Sequence, residues 1–200
     1  QAFNPTVTAA VTTTETAKPT GLTLGINVPA NHSSISRVQT TLPAGMTINP
    51  AVGNGPLQAC SAALIDAGGA GCPATSDQGN ITLTTPLLPS PVSGDVYLET
   101  PGGTAATRYK LALVIRIPGR NLVVHGSSLV NGSGLGADSG TGQVTADFQN
   151  VPDLAFTNMT IAFDTGDRAL LTNPDACGAH TVDATITPNS GGADATPSAN

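Results

Sequence analysis

Arg108-Tyr109-Lys110-Leu111-Ala112-Leu113-Val114-Ile115-Arg116-Ile117 runs into Pro118-Gly119-Arg120 and then into Asn121-Leu122-Val123-Val124-His125. Two β-branched runs facing each other across a Pro-Gly turn read as an antiparallel hairpin spanning 108–117 and 121–130. Val114, Ile115, Val123 and Val124 put apolar groups on both faces, which predicts a central place in a sheet.

Outward from that hairpin the same habit repeats. Alternating apolar and polar residues predict strands at 6–14, 21–28, 35–42, 80–85, 95–100, 143–148, 159–164 and 181–187. Turn clusters such as Pro101-Gly102-Gly103 and Asp138-Ser139-Gly140-Thr141-Gly142 separate them. The segment 57–67 alone has a helical look, without a clean stripe. Some ten strands with no βαβ alternation predict an all-β fold, an antiparallel β-sandwich of Ig-like or jelly-roll-like kind with at most one short helix.

Two hundred residues, 39% of them hydrophobic, suit one large β domain over 1–187. The stretch 188–200 is Gly, Ala, Ser and Pro without periodicity and reads as a flexible tail or linker. There is no Trp, with two Tyr and four Phe, so the core has to be built from Val, Ile, Leu and Ala.

Charge excludes several functions. Seven Lys or Arg against thirteen Asp or Glu give a net charge of -6, and seven scattered cations make no basic stripe for nucleic acid. No apolar run is long enough to span a bilayer as a helix. No leader pattern opens at Gln1, so an exported protein is expected here in its mature form.

Cys60 and Cys72 enclose a short Gly- and Ala-rich loop that fits neither a redox CxxC nor a zinc knuckle, and a disulfide is expected there, with two reduced buried thiols as the alternative. Cys177 is left over. It reads as a bond to another molecule, as half of a pair whose partner lies outside this sequence, or as a buried thiol.

Chemistry is sparse. His32, His125 and His180 sit in no ligand or triad motif. Asp164, Asp167 and Asp175 lack the spacing of a calcium loop and read as turn residues. No Gly-x-Ser-x-Gly elbow is present, and no carboxylate pair stands out for glycoside hydrolysis. The expectation is of no enzyme, no cofactor and no metal. Sequons occur at Asn31, Asn80, Asn131 and Asn158; Asn31 and Asn131, outside predicted strands, are the candidate glycan sites.

A series of landmarks runs through the chain in order. Leu42-Pro43-Ala44-Gly45-Met46-Thr47-Ile48-Asn49-Pro50 comes first, followed by Leu57-Gln58-Ala59-Cys60 and Cys72-Pro73-Ala74-Thr75-Ser76. Thr85-Pro86-Leu87-Leu88, Gly94-Asp95-Val96-Tyr97-Leu98, the segment 142–152 and Asn173-Pro174 with Cys177-Gly178 complete it. The succession, over about residues 3–190, resembles the β-rich repeat units of large secreted, cell-surface proteins of actinobacteria. It departs from them at Asp164-Thr165-Gly166-Asp167 and in the cysteine that often follows the counterpart of Cys177. The resemblance implies an extracellular location and a structural or adhesive role.

Two functions are expected from all this. The first is a structural subunit of a surface fibre, pilus-like filament or layer, self-associating as a homopolymer. In it the Thr- and Val-rich segment 1–14, through Phe3, Val7, Ala9 and Val11, pairs with a neighbouring copy's sheet. The second is an adhesion or glycan-binding module recognising a glycan or host surface.

Overall fold

A computed structural model describes residues 2–49, 59–100, 110–126 and 143–200. Among them the chain forms an all-β sandwich with one short helix. The strands are β1 Thr6–Val11, β2 Pro19–Thr20, β3 Leu22–Asn27, β4 Ile35–Thr41, β5 Thr47–Ile48, β6 Asp77–Thr84 and β7 Val92–Glu99. They continue as β8 Lys110–Ile117, β9 Arg120–His125, β10 Thr145–Phe148, β11 Asn158–Phe163, β12 Leu171–Thr172, β13 Val182–Pro188 and β14 Ser198–Ala199. The helix, α1, is Ala62–Asp66.

One sheet has seven antiparallel strands in the order β1-β3-β11-β6-β7-β8-β9. A second has four, β10-β4-β13-β14, and a small third sheet joins β2, β12 and β5. Alternation decides which side chains point inward. Leu22 and Ile26 on β3, Ile81 and Leu83 on β6, Val96 and Leu98 on β7, and Leu111, Leu113 and Ile115 on β8 meet Ile35 and Val38 of β4 and Val182, Ala184 and Ile186 of β13 in one core. Among the described residues a bridge, Gly126 to Phe148, links the end of the seven-stranded sheet to the four-stranded one.

The Pro118-Gly119 hairpin forms as expected, with Ile117 paired to Arg120 and Gly119 at φ +86, the conformation a type II turn requires at that position. Its expected central position holds for β8 and fails for β9, which is the last strand of the sheet. The apolar residues on its outer face have another cause. Val114 and Val123 pack beneath Cys60, Ile65, Cys72 and Tyr97 in a second apolar cluster on the outside of the sheet.

Residues 188–200, expected as a flexible tail, fold back instead. Ile186 and Ala195 exchange main-chain hydrogen bonds of 2.8 and 2.9 Å, and Ala184 N donates to Pro197 O. Ser198 and Ala199 pair with Asp183 and Val182. This edge is held chiefly by backbone, so its sequence shows no apolar period. At the opposite end, β1 pairs in register with β3 of its own chain, from Thr6 with Asn27 to Val11 with Leu22.

Candidate functional site

Strand β1 is an edge of the seven-stranded sheet, and β14 of the four-stranded sheet lies beside it. Among the described residues β1 is hydrogen-bonded to β3 on one side and to no strand on the other. Val7 and Ala9 are partly buried against the core, while Thr6, Thr8, Ala10 and Val11 are exposed, Val11 by 39%. Phe3 is also half-buried against the core. Within Thr6–Val11 there is no charge, no proline and no bulge, the devices by which monomeric proteins guard a sheet edge.

The connection from β1 to β3 is tied at its base. Thr12 N donates to Gly21 O at 3.0 Å, and Gly21 N donates to Thr12 Oγ1 at 2.9 Å. Asn173, buried in the loop after β12, donates its amide to Thr13 O at 2.7 Å and to Glu15 O at 2.9 Å. These bonds tie the connection after β1 to Gly21 and to the loop after β12.

The outer face of the large sheet continues the character of β1. Pairing aligns Thr6, Asn27, Asn158 and Thr84 in one row and Thr8, Gly25, Thr160, Thr82 and Ser93 in the next. Asn158 donates to Asn27 Oδ1 at 2.7 Å within the first row. The two rows cross four and five strands without a charged side chain.

The disulfide joins Cys60 to Cys72, with Cα atoms 5.2 Å apart. It closes the segment carrying α1, whose first turn is capped by Ser61 Oγ accepting from Leu64 N. Gly69, at φ +81, lies so close to the Tyr97 ring that a Cβ would overlap it. The covered edge of this segment holds a polar cluster that the sequence did not signal. His125 on β9 lies 2.6 Å by Nδ1 from Glu99 Oε2 and 2.9 Å by Nε2 from Asp66 Oδ1. Glu99 is 4% exposed. Burial lowers the His125 pKa, but the hydrogen bonds to Glu99 and Asp66 outweigh it and hold the imidazole above its ordinary value. The imidazole between two carboxylates ties β7, β9 and α1 together.

The remaining candidates are dispersed. His32 Nδ1 accepts from Asn4 N, and His180 contacts Ala176 O. Asp164, Asp167 and Asp175 are exposed, and among the described residues no three His, Cys, Asp or Glu side chains are grouped to hold a metal. Cys177, which could have been a buried thiol, is exposed; it lines a surface hollow of about 510 Å³ beside Ala9, Val11 and His180. Asn31 is exposed in a turn at φ +64, and Asn131 lies outside the described residues. No described helix is long and apolar enough to cross a membrane.

No family model matches the sequence. No curated protein matches it either.

Proposed function

We propose that the protein is a non-enzymatic structural subunit of an extracellular surface assembly, polymerising by exchange of β1 between copies. The observation that carries this reading is the shallow seat of β1: six residues paired by backbone to β3, with only Val7 and Ala9 half-covered. On leaving that seat the segment gives up the contacts of Phe3, Val7 and Ala9 with the core, and these contacts and the same hydrogen bonds re-form on the β3 of a neighbour. A head-to-tail exchange does not close on itself and extends into a fibre. The Cys60–Cys72 disulfide suits an oxidising compartment, which agrees with the secreted location implied by the resemblance to actinobacterial surface repeats.

The test uses the pairing of Ala10 with Thr23. In a Cys177→Ser background, chains carrying Ala10→Cys are mixed with chains carrying Thr23→Cys under mild oxidation. Exchange predicts a mixed disulfide joining one chain of each kind on a non-reducing gel. Cross-linking seen only in the double variant, and only within one chain, would rule exchange out.

The hydroxyl and amide rows on the outer face favour a second reading, adhesion to a polysaccharide through hydrogen bonds from Thr and Asn. Thr82→Lys and Thr160→Lys would abolish retention on a glycan matrix under that reading and leave polymerisation by β1 intact.

A further inference from the structure

Leu87 is the most exposed large hydrophobic side chain among the described residues, at 66%. It tips the turn between β6 and β7, where Pro86, Pro89 and Pro91 are exposed with it. Isolated surface leucines are ordinary. Here four apolar side chains share one turn, and the three prolines restrict its backbone. Thr85 anchors it, its Oγ1 donating to Ala155 O at 2.6 Å and accepting from Leu87 N at 3.2 Å. No charged residue occurs from Gln78 to Gly94. The turn is a rigid, neutral, apolar knob.

The surface hollow of about 510 Å³ is its counterpart. Val11, Leu22, Pro43, Met46, Pro174 and Val182 line it, and its described walls hold one carboxylate, Glu15, and one imidazole, His180. Knob and hollow lie at opposite ends of the sandwich. Thr84, which leads into the turn, shares a row with Thr6 at the start of β1, whereas the hollow opens against Ala9, Val11 and Thr14 at the far end of that strand. The two therefore cannot meet within one chain.

We propose that the hollow receives the Leu87 turn of a second copy of this chain. A chain of net charge -6 repels its own copies, so a contact between copies belongs where charge is sparse. An uncharged turn entering a hollow with a single carboxylate meets that condition, and a turn already rigid loses little freedom on docking. One end of each copy binds the opposite end of the next, a heterologous contact that does not close on itself. It leaves β1 in its seat and so stands apart from strand exchange.

Cys177, on the wall of the hollow, makes the contact readable. In the full chain carrying Leu87→Cys, mild oxidation should join position 87 of one copy to Cys177 of the next. The result is a ladder on a non-reducing gel and a linked peptide containing both positions by mass spectrometry. Leu64→Cys, also exposed, should leave Cys177 unlinked. In the parent, labelling of Cys177 by a thiol reagent should slow as protein concentration rises. Leu87→Asp, with the thermal midpoint of the parent, should keep the rate of the dilute protein and associate about tenfold more weakly or worse. Absence of the linked peptide, equal linking from position 64, or labelling independent of concentration would overturn the assignment and give the hollow to another occupant. A ladder through Cys177 in a protein whose Ala10→Cys and Thr23→Cys chains stay separate would uphold this contact and exclude strand exchange.

Discussion

Thr8 of β1 stands directly over Gly25 of β3, so close that a Cβ on residue 25 would overlap Thr8 Oγ1. The glycine leaves a seat on the outer face of the sheet, and the threonine occupies it. Glycine in mid-strand is a weak strand former, so its presence there is explained by the strand it receives. Gly25→Val would push β1 off its partner. A loss of about 1–3 kcal/mol is expected from overpacking, read as a lower urea midpoint together with faster amide exchange across Thr6–Val11. Protection of those amides equal to the parent's would show that Thr8 simply rotates away.

The second hold on β1 is Asn173. It is 9% exposed, and its amide donates to Thr13 O and Glu15 O. Asn173→Ala removes two hydrogen bonds from a buried position and is expected to cost roughly 1–3 kcal/mol. If β1 exchanges, the loosened connection also raises the rate at which copies associate. Denaturant titration and light scattering measure the two effects separately.

Reducing the Cys60–Cys72 bond frees a loop with a sequence separation of 12. On the chain-entropy estimate the loss is roughly 3 kcal/mol. Cys60 N donates to Leu98 O, and Thr100 N donates to Cys60 O, so the loop is stitched to the end of β7 and will not detach cleanly. Thermal melts with and without reductant, compared with Cys60→Ala/Cys72→Ala, should agree in their lowered midpoint.

The imidazole of His125 gives stability a pH dependence. Its folded pKa lies above the ordinary 6.5, so its contribution is complete below that pH and is lost as pH rises through the folded value. The ring is about one-third exposed, and solvent screening keeps the effect on the order of 1 kcal/mol or less. Urea midpoints measured from pH 6 to pH 9 should fall in the parent and fall less in His125→Gln. Equal slopes in the two proteins would place the dependence elsewhere.

The long strands were legible because each carries its own alternation. Each of the ten expected strands has a counterpart among the described residues, most with bounds shifted by one to three positions, while positions 108–109 and 127–130 of the expected hairpin lie outside the described residues; the hairpin turn falls at Pro118-Gly119. The two-residue strands β2, β5, β12 and β14 were not legible. Pairings such as Leu171 with both Thr20 and Ile48 arise from where the loops lie in the fold, and two residues are too few to show a period. The return of 188–200 onto β13 was hidden for the same reason. His125, Glu99 and Asp66 lie far apart in sequence, so only the packing of α1 over β7 and β9 unites them.

The central claim is that residues 1–14 join one copy to the next. Size-exclusion chromatography with negative-stain electron microscopy of the full chain, and of a chain beginning at Glu15, tests it most directly. Filaments or oligomers in the full chain that disappear on truncation are the predicted result. A monodisperse monomer in both forms, at every concentration reached, would contradict it.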